Sequence, residues 1–270
     1  MDLVTPFLTG DAGKLLNQLC DKGAEWLVEL VSSHSPAVQA QAQVNLQSFF
    51  YRLAKRIEQL EAELPAPHKK VFGEALNQPN SSLLMQKVMV SAATTENDYK
   101  HAIFSELIAQ RITAEPDDMV TLLGAASCDV VNAFSSKHIR LLGMIVHLFS
   151  IRPLQTPKIK DQESYDKYVI SWWEPLGELC KDLEDTNNFD LMHLVGLSCI
   201  RIGIGSQDLV NLLTLPVKSE KMMPTMEKFE ALPWWPSFCK LWDVGLGNVT
   251  PTSIGTLIGT LYHNSYPVRT

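Results

Sequence analysis

The chain has 270 residues and a formal net charge of −7, with 46% of residues hydrophobic and 20% charged. This is ordinary globular composition, enough for one large domain or two modest ones, and it excludes a chain disordered throughout. No apolar run reaches the roughly 18 residues that a membrane-spanning helix needs.

The opening MDLVTPFLTGD lacks the basic segment of a secretory signal. Five cysteines (Cys20, Cys128, Cys180, Cys199, Cys239) are scattered, and no pair has metal-ligand spacing. Reduced, mostly buried thiols in a cytoplasmic protein are the expectation. Charge is unevenly spread. No acid occurs from Val130 to Lys160, a stretch that holds Lys137, Arg140, Arg152, Lys158 and Lys160. Asp161 to Asp190 then holds nine acids against Lys167 and Lys181. Two readings follow: a solvated acidic helix beside a neutral core, or a basic surface that meets a phosphate or an acidic partner.

Lys14–Val31 places Leu15, Leu16, Leu19, Cys20, Trp26, Leu27, Leu30 and Val31 on one helical face. Acids outnumber bases around it, so packing on another helix is expected rather than a membrane surface. Ser35-Pro36 starts a second helix running to Leu64, about 40 Å long. Along it, Leu46, Phe50, Leu53, Ile57, Leu60 and Leu64 alternate in steps of four and three. Such a narrow seam fits a helix pair. It predicts either a two-fold dimer through Leu46, Phe50, Leu53, Ile57 and Leu60 or packing against the first helix.

His68–Asn80 reads as a loop or short turn, and Ser81–Ala93 and Tyr99–Thr113 as helices. Glu115-Pro116-Asp117 opens another helix, which reaches Phe134. Ser135–Ser150 (SSKHIRLLGMIVHLFS) is the most apolar stretch. A helix apolar on nearly all sides is a buried one. It is expected to be the centre of the fold, with Leu142 and Val146 almost fully enclosed. Pro153–Lys160 is a linker. The next helix carries Tyr165, Val169, Trp172, Leu176, Leu179 and Leu183, and Pro175 should kink or restart it.

Beyond Asn187 the period changes. Asp190–Leu197 is a helical turn, SCIRIGI (Ser198–Ile204) alternates like a strand, and Gln207–Leu213 is a short apolar turn. Pro216–Pro236 reads as a long loop. Trp234 and Trp235 at its end either anchor a partner or pin the loop to its own domain. Val244–Val249 is a candidate strand, and Thr250-Pro251 caps a last helix, Ser253–His263. The fold expected is mainly α: a multi-helix bundle with residues 1–67 as an N-terminal hairpin, 68–152 as a central bundle, and 161–270 as a winged-helix-like part.

Four stretches carry a resemblance. They are Glu106-Leu107-Ile108-Ala109, Phe134-Ser135-Ser136 leading to Leu141-Leu142, LMHLVGL (Leu191–Leu197), and Val249-Thr250-Pro251 with Gly255. In this order they resemble the Abi-alpha type of bacterial abortive-infection protein, over roughly two-thirds of the chain. Gly255 stands two residues late for the family's T-P-x-G step, and Asn248-Val249 replaces the usual leucine. The resemblance implies a bacterial cytoplasmic protein of phage defence, with a helical body and a winged-helix-like end. It implies no chemistry.

Signals for chemistry are sparse. Arg140 and His147 form the Arg-x6-His pattern of HEPN ribonucleases, in which an exposed imidazole and guanidinium flank the scissile phosphate. Here the pattern lies in the most apolar helix, where a satisfied histidine at the core's edge is the competing reading. Gly10–Lys14 lacks the spacing and the hydroxyl of a phosphate loop. There is no Gly-x-Ser-x-Gly and no His-Glu-x-x-His. An enzyme is disfavoured, and neither cofactor nor metal is expected. The leading expectation is a non-enzymatic helical protein that binds another protein or itself. The second is a nucleic-acid-binding regulator using Lys137, Arg140, Lys158 and Lys160. The third is a nuclease using Arg140 and His147.

Overall fold

The computed structural model describes residues 10–63, 79–114, 118–153, 155, 157–205, 207–217 and 222–265. Leu64 with the prolines after it, the segment 68–78 and Glu115-Pro116-Asp117 lie outside these residues. The described residues are mainly helical, and none of their helices is long and apolar enough to cross a membrane. The contacts divide the chain into two compact units, Met1–Ser136 and Lys137–Thr270. The sequence suggested divisions at 67 and 152 instead.

Among its described residues the first unit packs five helices: α1 (Gly10–Val31), α2 (Pro36–Glu63), α3 (Pro79–Ala93), α4 (Asp98–Thr113) and α5 (Met119–Asn132). α4 is its centre. Every residue from 101 to 109 is buried, although the helix carries His101, Ser105, Glu106 and Arg111. These polar groups are tolerated because they find partners. His101 Nε2 pairs with the Ala92 carbonyl at 3.0 Å, and Ser105 Oγ donates to the His101 carbonyl at 2.8 Å. Glu106 accepts from Arg56 Nη2 (3.3 Å) and Gln110 Nε2 (2.9 Å). Asn97 caps the helix, its Oδ1 accepting from Tyr99 N and Lys100 N.

The α2 seam settles inside this unit. Leu46, Phe50, Leu53 and Ile57 are at most 1% exposed, with Leu60 half-buried, and α2 packs on α1, α3 and most extensively α4. Of the two readings of the seam, packing within one chain describes it. The dimer surface expected through Leu46, Phe50, Leu53, Ile57 and Leu60 is corrected, because buried side chains cannot face a second copy. The sequence named α1 as the partner, but α4 supplies most of the contact. Polar residues at 101, 105, 106 and 111 had hidden its all-round burial.

The second unit begins with α6 (Ser136–Phe149), buried at every position from 139 to 148. Leu142 and Val146 have no exposed area. The stretch singled out in the sequence is therefore the centre of this unit, while α4 is the centre of the other. α7 (Gln162–Trp173) is capped by Asp161, whose side chain accepts from Ser164 N. α7 ends before Pro175 and the short α8 (Leu176–Leu179) restarts after it, as proline requires.

α9 (Asn188–Gly196) leads into β1 (Ile200–Ile202), which pairs antiparallel with β2 (Val249–Pro251). Between the strands lie α10 (Leu209–Leu213), α11 (Met226–Glu230), α12 (Trp235–Asp243) and a 3-10 turn, Leu246–Asn248. Two expectations change here. The long loop 216–236 contains α11 and the start of α12; Pro236 sits in the first turn of α12, where its missing N–H costs nothing. The strand expected at 244–249 begins only at Val249, after the 3-10 turn.

α13 (Ser253–Ser265) closes the unit. Its cap is Thr252 rather than Thr250, which lies in β2. Thr252 Oγ1 donates to the Ser198 carbonyl at 2.6 Å and accepts from Gly255 N at 3.1 Å.

Candidate functional site

One turn of α6 carries Lys137, His138 and Arg140, and all three meet carboxylates from the connection between α8 and α9 or from α9 itself. Lys137 Nζ lies 3.0 Å from Asp190 Oδ1 and 3.6 Å from Asp185 Oδ2. Desolvation opposes its charge, but the bonds to Asp190 and Asp185 outweigh this and its pKa is raised. His138 Nε2 lies 3.3 Å from the same Asp190 oxygen, and its ring lies tilted against His193 at 4.4 Å between centroids. Burial and the neighbouring His193 hold its pKa below the usual value.

Arg140 is inside the unit. Its Nη1 donates to Asp182 Oδ2 at 2.8 Å and its Nη2 to the Glu178 carbonyl at 2.6 Å. The acidic cluster read from the sequence as a solvated helix end is thus the counter-charge of the basic helix. Asp182 adopts a left-handed backbone, φ 59°, a conformation that Asp and Asn accept more readily than most residues.

Asp190 also builds α9. Its Oδ2 accepts from Asn187 N at 2.9 Å, while Asn187 Oδ1 accepts from Phe189 N at 2.8 Å, a reciprocal cap. Burial opposes the Asp190 charge, yet the Asn187 and Lys137 bonds prevail and its pKa is lowered. With Asp190 turned inward, the other face of α9 turns out. Phe189 is 85% exposed and Met192, one turn later, 56%. Asp182, Glu184 and Asp185, in the connection that leads into α9, are exposed.

The remaining candidates lie elsewhere. His147 is buried against Trp172, Trp173 and His263, with ring centroids 6.3, 5.7 and 5.4 Å away. Burial, reinforced by His263, pushes its pKa down to about 3, so the ring is neutral. Arg140 and His147 are both enclosed, and an exposed pair flanking a phosphate is not what α6 presents. Trp234 and Trp235 join Phe229, Phe238 and Trp242 in one aromatic cluster, where a Cβ on Gly177 would stand 2.9 Å from Trp234. They pin their own unit together. Lys158 and Lys160 are exposed on the connection before α7.

Sequence reasoning missed His138, Phe189, Met192, Asp190 and His193. A signal existed for one of them: Asn187 followed three residues later by Asp190 is a capping box in the sequence. All five cysteines are free thiols, four of them buried. Among the described residues no group of acids, histidines and cysteines could hold a metal.

A model of a protein family of unclear function matches residues 20–219. No curated protein and no solved structure matches the chain.

Proposed function

The chain belongs to the family whose model spans residues 20–219, and we propose that it works as a non-enzymatic interaction protein, binding a protein partner through the outer face of α9. One observation carries this reading: Phe189 and Met192 are exposed one turn apart on a helix whose opposite side is locked down by Asp190. An exposed aromatic beside a methionine is the composition of an interface core, not of an ordinary surface. The exposed acids Asp182, Glu184 and Asp185 in the connection leading into α9 favour a partner that carries lysine or arginine beside an apolar anchor.

A winged-helix-like end with α9 in the place of a recognition helix would need β1 and β2 as its wing, although α10, α11 and α12 lie between them. A nucleic-acid reader needs bases on that helix to meet phosphates, and α9 has neither lysine nor arginine. Lys137 and Arg140 are engaged by carboxylates, which weakens the nucleic-acid reading to Lys158 and Lys160. The burial of Arg140 and His147 argues against the nuclease. A role in bacterial phage defence rests on the Abi-alpha resemblance alone.

The test is an array of amphipathic helical peptides flanked either by Lys/Arg or by Asp/Glu, probed with the full chain and with Phe189→Asp/Met192→Asp. Binding to the basic series, lost by at least tenfold in the variant, is the expected result. Salt-sensitive retention on DNA or RNA that the variant keeps would replace this reading with the nucleic-acid one.

A further inference from the structure

In the first unit an open cleft of about 340 Å³ lies between the last turn of α1, the first turns of α2 and the end of α3. This is the lower range of small-molecule sites. Its walls are apolar: Leu30, Val31, Val38 and Ala42. Val38 stands at the lip, 45% exposed. On the floor is Asn45, only 6% exposed. Its Oδ1 accepts from Gln41 Nε2 at 3.0 Å and its Nδ2 donates to the Ala93 carbonyl at 3.1 Å. An amide offers two acceptor positions and two donors, so one of each remains for a ligand.

The charge at the cleft has one sign. Among the described residues that line it, Glu96 is the only acid and none is lysine or arginine. α1 and α3 end there and add negative potential through their last carbonyls, while α2 begins there and its first N–H groups offset part of it, so the Glu96 carboxylate sets the sign. His34 also lines the mouth.

We propose that this cleft binds a small organic cation, an amine with a compact hydrocarbon body. The ammonium would sit between the Glu96 carboxylate and Asn45 Oδ1, and the hydrocarbon against Leu30, Val31, Val38 and Ala42. A carboxylate of the same shape has no cationic partner here and meets Glu96 instead.

Three probes of matched size test this: cyclohexylmethylamine, cyclohexylmethanol and cyclohexanecarboxylate, each titrated into the isotope-labelled full chain and followed by methyl NMR. The expected result is saturable shifts of the Val31, Val38 and Ala42 methyls with the amine, weaker ones with the alcohol and none with the carboxylate. Glu96→Gln should weaken the amine at least fivefold and bring it level with the alcohol. Val38→Trp, at an exposed lip position, should fill the cleft and abolish both without loss of the folded spectrum. The proposal is overturned by absence of saturable shifts with every probe, by a carboxylate preference, or by amine binding that both variants leave unchanged.

Discussion

Gly255 and Cys199 are in backbone contact: a Cβ at position 255 would stand 1.9 Å from the Cys199 carbonyl oxygen. The first turn of α13 therefore lies directly on the residue before β1, and Thr252 bridges the same two segments through the Ser198 carbonyl. This explains physically why a glycine stands at 255, the residue that entered through the resemblance. The obstacle is a main-chain carbonyl, which cannot rotate away as a side-chain tip can. Gly255→Ala is expected to cost at least the upper end of the ~1–3 kcal/mol typical of overpacking. Gly196→Ala is the control, since a Cβ there meets nothing within 4 Å. Urea midpoints for the two variants check this, and equal midpoints would refute the contact.

Arg140 and Asp182 make an asymmetric pair. The arginine side chain is 8% exposed and the aspartate 84%. Replacing the buried member should hurt far more. Arg140→Met keeps the volume but loses charge-assisted bonds to Asp182 and to the Glu178 carbonyl, an expected loss of about 1.5–3 kcal/mol. Asp182→Asn, at the exposed end, should cost roughly 0.5 kcal/mol. Backbone conformation separates two further variants. At φ 59° an alanine bears a penalty of about 1 kcal/mol that glycine escapes, so Asp182→Ala should unfold at lower urea than Asp182→Gly. Coincident curves for those two would contradict the left-handed backbone.

Much of this architecture is written in local period. α1, α2, α6 and the break at Pro175 follow from apolar spacing and proline chemistry, and the middle of SCIRIGI, Ile200–Ile202, becomes β1. What the sequence conceals is partnership across distance. The basic run around 137–160 and the acidic run of 161–190 are both visible, but that Lys137 and Arg140 meet Asp190 and Asp182 depends on how α6 docks against the α8–α9 region. α4 was hidden for a related reason: Glu106 and His101 blur its apolar pattern, and they are affordable inside only because Arg56 and the Ala92 carbonyl reach them. α11, with five residues, is too short for any period to register. The candidate site was legible in its charges and illegible in Phe189 and Met192, whose exposure follows from Asp190 turning the other way.

The α2 seam gives a sharp test of the first unit. Leu53 and Ile57 have no exposed area, and a carboxylate at either position would be buried without a partner. Leu53→Asp with Ile57→Asp is expected to abolish the cooperative unfolding of this unit, seen as loss of helical circular dichroism and of dispersed amide signals. A folded, monomeric double variant obtained from a dimeric wild type, measured by light scattering, would return the seam to the surface.

His147 makes stability depend on pH in a direction fixed by its environment. Its folded pKa is about 3 against an ordinary 6.5. As pH falls below 6.5 the unfolded chain takes up a proton that the folded chain refuses, so folding stability declines, by up to about 1.4 kcal/mol per pH unit. The decline runs from about pH 6.5 toward pH 3. His263, also held low by burial, acts in the same direction. Carboxylates with lowered pKa values, Asp166 and Asp190 among them, add their own loss only at more acid pH. The interval from pH 6.5 to 4.5 therefore belongs to the histidines. His147→Phe keeps a ring among Trp172, Trp173 and His263 while removing the titrating group. Its urea midpoint should fall less steeply over that interval than that of the wild type. A wild-type midpoint that stays level between pH 7 and pH 5, or a variant whose slope matches the wild type, would mean that His147 is not held neutral by burial.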